Sequence, residues 1–298
     1  MPPPPPPSSS EAPLSQNDPL ASRLDFALRA AREASRLIME FYSPLGCRAE
    51  SKADGTPVTI ADLKAEELLR SLITSAWPGD GLIGEEHGNV AGRSGLRWVI
   101  DPIDGTKSFM HGVPLFGTLI GLQRRTGPEG LAGSWESCAG VVSMPALARG
   151  LTAYARAGQG AWVVHGESDP APLRVGRVEH LGDACVCATS AHTLINGPAG
   201  RGYIELASRA RLVRGWGDCY GHVMVAAGSV DVMLDPPMNL WDVVAVEALV
   251  REAGGVMTAL DGSPVGDGSR GAISVSPALH AQVVALLTSP PGTARTSG

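Results

Sequence analysis

Leu24, Leu28, Ala31, Ile38 and Phe41 recur at the spacing of one helix face, which predicts that folding begins with an amphipathic helix. Asp18 can cap that helix and Pro19 suits its first turn. Gly46 and then Lys52-Ala53-Asp54-Gly55 break the pattern. A second helix is predicted over about 60–76, with Leu68, Leu69, Leu72 and Ile73 as its buried stripe, and the run from Trp77 through Pro78 to Gly81 stops it. The period then changes. Leu82-Ile83, Trp98-Val99-Ile100, residues 117–122, Gly140-Val141-Val142 and residues 151–154 are short apolar runs between glycine-rich turns. They read as strands, and their close spacing predicts an antiparallel meander. A further strand is predicted at 185–189. After it helices and strands alternate over 202–210, 211–215, 219–227, 232–234, 241–253 and 256–257.

The switch near residue 180 sets the expected organisation. An N-terminal α+β subdomain spans 20–180 and a C-terminal α/β subdomain spans 181–289. Residues 1–19 and 290–298 are expected to be disordered tails, because their polar and proline-rich composition cannot bury enough apolar area to offset ordering entropy. The six prolines after Met1 are also the kind of run that SH3-like or WW-like partners bind.

Composition narrows the function classes. The 298 residues are 44% hydrophobic and 18% charged, which is ordinary for a globular protein with room for one large domain or two smaller ones. The net charge of -6 and the absence of a lysine or arginine cluster argue against nucleic acid as a partner. An acidic chain can still take a phosphorylated substrate, since bound metal ions reverse the local field. Cys47, Cys138, Cys185, Cys187 and Cys219 are an odd set in a long chain, which excludes a disulfide framework. Cys185 and Cys187 would share one face of a strand, and with no second Cys/His pair nearby they read as buried packing. No apolar run reaches the ~18 residues of a membrane span. The N-terminus lacks the order of a secretory signal, so no membrane partner and a cytoplasmic location are expected.

The candidate chemistry lies in four acidic groups, each where a strand ends or a helix begins. They are Gly84-Glu85-Glu86-His87, Asp101-Pro102-Ile103-Asp104-Gly105-Thr106, Trp241-Asp242, and Asp62 within Thr59-Ile60-Ala61-Asp62. Any one alone reads as a helix cap or a solvated turn. Together they suit a hard cation, which prefers carboxylate and carbonyl oxygens. An Asp-x-x-Asp pair on a proline-stiffened turn aims two carboxylates and a carbonyl at one point. Gly105 allows the sharp turn, and the amides of Gly105 and Thr106 can open a helix N-terminus that favours phosphate.

In this order, and with Ala253-Gly254-Gly255 after the last of them, these motifs resemble the inositol monophosphatase superfamily over roughly residues 20–285. Lys52 and the run from Pro57 to Asp62 are similar to that family's N-terminal signature. The resemblance implies a layered αβαβα sandwich, of mixed α+β and α/β class, and a homodimer. It implies that Glu85, Asp101, the Ile103 carbonyl, Asp104 and Asp242 hold two or three Mg2+ ions. It further implies that Asp62 and Thr106, with Glu85, prepare the attacking water, and that the Gly105 and Thr106 amides bind phosphate. The chemistry would be metal-assisted in-line displacement of a phosphomonoester. Cys219 would be a pocket neighbour, not a nucleophile.

The substrate is expected to be set by the C-terminal half. The segment Arg214 to Gly221 offers Trp216, Asp218 and Tyr220, and Asp235 precedes Met238-Asn239-Leu240-Trp241-Asp242. Trp216 and Tyr220 also read as core packing. Two carboxylates beside the scissile phosphate suit a cationic amino alcohol better than a neutral polyol. The runs 216–221, 238–242, 114–120 and 104–109 resemble the histidinol-phosphatase branch, although Ser143-Met144-Pro145 stands where a Gln-Pro or Asn-Pro turn is expected. The resemblance therefore implies L-histidinol phosphate, a small metabolite of histidine synthesis, bound near Asp104, Asp218, Asp235, Arg214 and Cys219. The alternatives are an inositol-1-phosphate phosphatase, a broad-range sugar phosphatase, and a non-catalytic interaction protein. The last would lack a metal carboxylate, and none is missing. An RNA-associated role fits poorly with the sparse basic surface. His87 and His111 read as loop residues, because Mg2+ favours oxygen. His192 reads either as a pocket residue or as a surface one.

Overall fold

The computed structural model describes residues 18–46, 50–51, 57–127, 134–266, 269 and 271–289. Lys52 and the expected tails over 1–17 and 290–298 lie outside the described residues. Asp18 and Pro19, assigned above to the tail as well as to the first helix, belong to the helix. Helix α1 is Pro19–Met39, and Asp18 accepts the Leu20 amide at 2.8 Å. Its fully buried apolar face is Ala27, Ala30, Ala31, Ala34 and Ile38, while Leu24 and Leu28 flank it half-buried. Small side chains win the centre of the face because α1 lies directly on a sheet and on the next long helix.

Strands β1 (Glu50–Ser51) and β2 (Pro57–Val58) pair antiparallel. Helix α2 (Ile60–Ala76) follows with a reciprocal cap between Thr59 and Asp62. Its buried face carries Ala61, Asp62, Ala65, Glu66, Leu69 and Ile73, and the expected Leu68 and Leu72 lie at its half-buried margin. Two acids on the buried side rotate the stripe away from where hydrophobicity alone would place it.

The first sheet has eight strands. They are β3 (Gly81–Gly84), β4 (Gly88–Val90), β5 (Leu96–Asp104), β6 (Gly117–Thr126), β7 (Ser134–Met144), β8 (Leu151–Arg156), β9 (Ala161–His165) and β10 (Ala171–Leu173), and a short helix α3 (Thr106–Met110) joins β5 to β6. The spatial order is β10-β9-β8-β7-β6-β5-β3-β4. From β5 to β10 it is the expected antiparallel meander. The exception is β3, which runs parallel to β5 with Gly84 opposite Ile100.

The second sheet is built from β11 (Cys185–Ala188), β12 (Leu212–Arg214), β13 (Val232–Asp235), β14 (Val256–Ala259) and β15 (Ala272–Val275), in the order β12-β11-β13-β15-β14. Between and after these strands come α4 (Ala191–Asn196), α5 (Gly200–Arg209), α6 (Asp218–Ala226), α7 (Leu240–Glu252) and α8 (Pro277–Leu287). Strand β11 is parallel to β12 and β13, and β15 is antiparallel to β13 and β14.

Period-two alternation fixes the layers. Ile120 and Val141 pack with α1 and α2, whereas Leu119 and Val142 pack with α6 and α7 on the other face of the first sheet. Cys185, Cys187 and Met233 turn toward α6, and Val186, Val232 and Ile273 turn toward α5 and α8. The result is the αβαβα sandwich that the resemblance implied. Cys138, Cys185, Cys187 and Cys219 are buried free thiols. No helix among the described residues is long and apolar enough to cross a membrane.

Candidate active site

The parallel pairing of β3 with β5 brings their C-terminal ends side by side, so the Glu85 turn emerges next to Asp101. Strand β5 loses register between Asp101 and Asp104, and this irregularity lets both carboxylates serve one corner. Helix α7 points its first turn at the same corner and delivers Asp242. Ligand oxygens of Asp101, Asp104 and Asp242 lie within 4.8 Å of one another. The Asp101 carboxylate also accepts the Ile103 amide at 2.9 Å, which stiffens the turn.

Two of these acids have a second task. Asp242 closes a capping box on α7 by accepting the Asn239 amide at 2.6 Å. Asp62 does the same on α2, where one oxygen accepts the Thr59 amide at 2.8 Å and the Thr59 hydroxyl at 2.6 Å. Its other oxygen faces the Thr106 hydroxyl at 3.3 Å, and that hydroxyl also donates to the Ile103 carbonyl at 3.0 Å. The Ile103 side chain is buried in the core, and its carbonyl is the atom that meets Thr106. Gly105 starts α3 at φ 83°, and a Cβ there would come within 2.9 Å of the Leu115 carbonyl oxygen.

The electrostatics fit a cation. Burial pushes Asp101 and Asp104 well above the usual carboxylate range. The charges of Glu85, Asp104 and Asp242 push Asp101 further, and those of Asp218, Asp242 and Asp235 push Asp104 further. Burial also raises Asp242, to about 7, and Asp101 and Asp242 share a hydrogen bond. Asp62 is raised for the same first reason, with the Glu85 charge adding to it. Oxygen donors of one sign, crowded together and buried, could hold a hard divalent cation, which would relieve their repulsion.

A second group of acids lies beside the first. Asp218 opens α6 at φ 53°, with its amide donating to the Thr189 hydroxyl at 2.8 Å and its carboxylate receiving the Ser108 hydroxyl at 3.3 Å. Burial and the charge of Asp235 push it to about 7. Asp235 ends β13, buried, with one oxygen 3.4 Å from the His222 Nε2.

Other residues proposed from the sequence fall elsewhere. The Cys219 thiol is buried at 1% exposure, burial raises it strongly, and it hydrogen-bonds to the Asp104 carboxylate. Cys219 also brings its amide to the corner, where it donates to Asp104 at 2.5 Å. Arg214 is exposed and donates to the Val213 carbonyl at 2.8 Å, and its charge bears on Cys185 and Cys187. Trp216 and Tyr220 are half-buried against core clusters, in keeping with the packing reading. Ser143 faces α1, with its hydroxyl 3.0 Å from that of Ser35, and Met144 is core. His87 and His111 are exposed, and His192 is exposed beside Asn196.

Two contributors were not foreseen. Glu66, wholly buried on α2, pairs with Arg70 at 3.0 Å and accepts the amides of Glu86 and His87 at 2.6 and 3.0 Å. It thus clamps the turn that carries Glu85. Gly84 is required there, since a Cβ would sit 2.2 Å from the Glu66 carboxylate. The available signal was an acid four residues after Asp62 on the same helix face. The other is His222, four residues after Asp218 on α6, for which the signal was the same spacing.

The chain matches the inositol monophosphatase family over residues 20–289. It is 40% identical over 232 residues to a histidinol-phosphatase of Chlorobaculum parvum, covering 78% of this chain and 83% of that one. It is 38% identical over 269 residues to a histidinol-phosphatase of Streptomyces coelicolor, covering 89% of this chain and 96% of the relative. Among solved structures, the extragenic suppressor protein suhB of Bartonella henselae superposes with a TM-score of 0.78 at 25% identity, covering 90% of this chain and 99% of that one.

Proposed function

The chain belongs to the inositol monophosphatase family, and on that premise we propose that it is a Mg2+-dependent phosphatase hydrolysing L-histidinol phosphate to L-histidinol and phosphate. The observation that carries the substrate is the pair Asp218 and Asp235, two carboxylates in each other's field next to Asp104. An ammonium group between them would relieve their repulsion, which a neutral polyol cannot do to the same degree. The similarity to histidinol-phosphatases points the same way.

In this reading Asp101, Asp104, Asp242, Glu85 and the Ile103 carbonyl hold Mg2+, which when bound supplies the Lewis-acid charge that phosphoryl transfer needs. The protein's own groups do the rest. Asp62 and Thr106 frame the place of the attacking water: the hydroxyl orients it and the carboxylate takes its proton. Burial raises the affinity of Asp62 for a proton and so improves it as a base. The amides of Gly105 and Thr106, at the turn into α3, face the phosphate oxygens. The departing alcohol leaves on the side of Asp218 and Asp235.

The test is phosphate release from L-histidinol phosphate and from inositol 1-phosphate, side by side, with Mg2+ and with EDTA. A strong metal-dependent preference for L-histidinol phosphate supports the reading. Preference for inositol 1-phosphate would keep the metal roles and overturn those of Asp218 and Asp235. Undiminished turnover in EDTA would overturn the metal roles.

A further inference from the structure

His222 is 0% exposed, deep between α6 and the second sheet. Its surroundings follow from the register. Ser274 on β15 lies opposite Met233 on β13, and Asp235 stands two residues beyond Met233. Alternation therefore puts Ser274, Met233 and Asp235 on one sheet face. That face lies under α6, where Asp218 and His222 are separated by one helical turn.

The imidazole bridges the two polar groups of that face. Nδ1 is 2.7 Å from the Ser274 hydroxyl. Nε2 is 3.4 Å from Oδ2 of Asp235 and has no closer hydrogen-bond partner among the described residues. A buried ring nitrogen without a partner is costly, and the nearest acceptor able to satisfy it is Asp235. A separation of 3.4 Å is long for a hydrogen bond, and hydrogen bonds at active sites are often long before substrate binds. Asp235 has reason to accept such a donor. On its other side it shares a corner with Asp104, Asp218 and Asp242, each of which its charge disfavours.

We infer that His222 is a positioning residue for substrate choice. The Ser274 hydroxyl donates to Nδ1, which leaves the proton on Nε2, and Nε2–H holds one oxygen of Asp235 so that the other faces the amine of the substrate. This rests on the reading of Asp235 as an amine-binding group.

The experiment compares His222→Leu, His222→Gln and Ser274→Ala with the wild type on L-histidinol phosphate and on p-nitrophenyl phosphate, which has no amine. His222→Leu removes both nitrogens at similar volume, and His222→Gln keeps a donor near the position of Nε2. The expected result is a KM for L-histidinol phosphate raised about tenfold in His222→Leu, the size of one hydrogen bond to a charged group. The KM for p-nitrophenyl phosphate and both kcat values should stay within about twofold. His222→Gln should restore most of the loss, and Ser274→Ala should fall between. An equal rise on both substrates, or a glutamine variant no better than leucine, overturns the inference. If His222→Leu does not fold, His222→Gln and Ser274→Ala decide it by the same split. If the wild type shows no preference for the amine substrate, the substrate reading fails, and the ring is then judged by its 15N shifts. A neutral Nε2–H ring whose Nε2 signal moves in Asp235→Asn upholds the positioning. An Nδ1–H ring, or an Nε2 signal indifferent to that change, overturns it.

Discussion

The carboxylate of Asp104 accepts the backbone amide of Cys219 at 2.5 Å, joining the end of β5 in the first sheet to the first turn of α6 above the second. A direct hydrogen bond thus links the group Asp101, Asp104 and Asp242 to the helix that carries Asp218.

Asp104→Asn tests the first of these roles. The amide oxygen can still accept from Cys219, so the tie and the fold should persist. Turnover should fall by about 100-fold or more, at or beyond the range for loss of an outer-shell metal partner. Phosphate release with saturating Mg2+, alongside thermal melts in EDTA, checks both halves. Near wild-type turnover would remove Asp104 from the metal site.

The acid cluster also sets a pH dependence. Burial holds Asp218 and Asp242 at about 7 in the cation-free protein, against an ordinary value of 3.8. An acid raised on folding binds its proton more tightly in the folded state. Its stabilising share is therefore complete below about 4 and is lost as pH rises through about 7. The melting temperature in EDTA should drop by roughly 5 °C or more between pH 5 and pH 8. Saturating Mg2+ should flatten that slope, since it binds the folded state and neutralises the charges. A flat profile in EDTA would show that the carboxylates ionise without mutual penalty.

Asp62→Asn separates cap from catalyst. The amide oxygen can replace the one carboxylate oxygen that accepts both the amide and the hydroxyl of Thr59, which turns the NH2 toward Thr106. Stability should fall by less than ~1 kcal/mol, the cost of a whole lost cap. The kcat should fall by roughly 100-fold to 10,000-fold, as for a lost general base. Denaturant titration and steady-state kinetics read the two effects independently. A kcat loss no larger than the stability loss explains would make Asp62 a cap only.

Glu66→Gln should loosen the turn that holds Glu85. The amide keeps the volume but loses the ion pair with Arg70 and one acceptor for the Glu86 and His87 amides. We expect a stability loss of about 3 kcal/mol, typical for breaking a buried pair. The Mg2+ concentration for half-maximal activity should rise about tenfold, as for other supporting partners of metal ligands. An unchanged Mg2+ requirement would mean that Glu66 supports the fold and not the site.

Asp62, Asp101, Asp104 and Asp242 were legible in the sequence because capping boxes and strand ends obey rules that span three or four residues. Asp18 and Pro19 at the start of α1 were legible for the same reason. Strands β9, β10 and β15 and helix α8 were not picked out, although Ser276-Pro277 before an apolar run was a usable start signal for the last. Helix α1 shows how hydrophobicity misleads: Leu24 and Leu28 are the more apolar residues, yet alanines take the centre of the interface because a close-packed sheet leaves no room for more.

The sequence by itself determined which acids stand at element ends, the order of the motifs and, by resemblance, the layered sandwich. Only the tertiary structure decided which of those acids meet. The parallel pairing of β3 with β5 set Glu85 beside Asp101, and the descent of α7 onto the same corner added Asp242. Through-space contacts alone assigned Glu66 to the Glu85 turn, His222 to Asp235, and the amide of Cys219 to Asp104. The physical reason is range. A cap is settled by the nearest turn of chain, whereas a buried charge is settled by whatever the whole fold brings within a few ångströms of it.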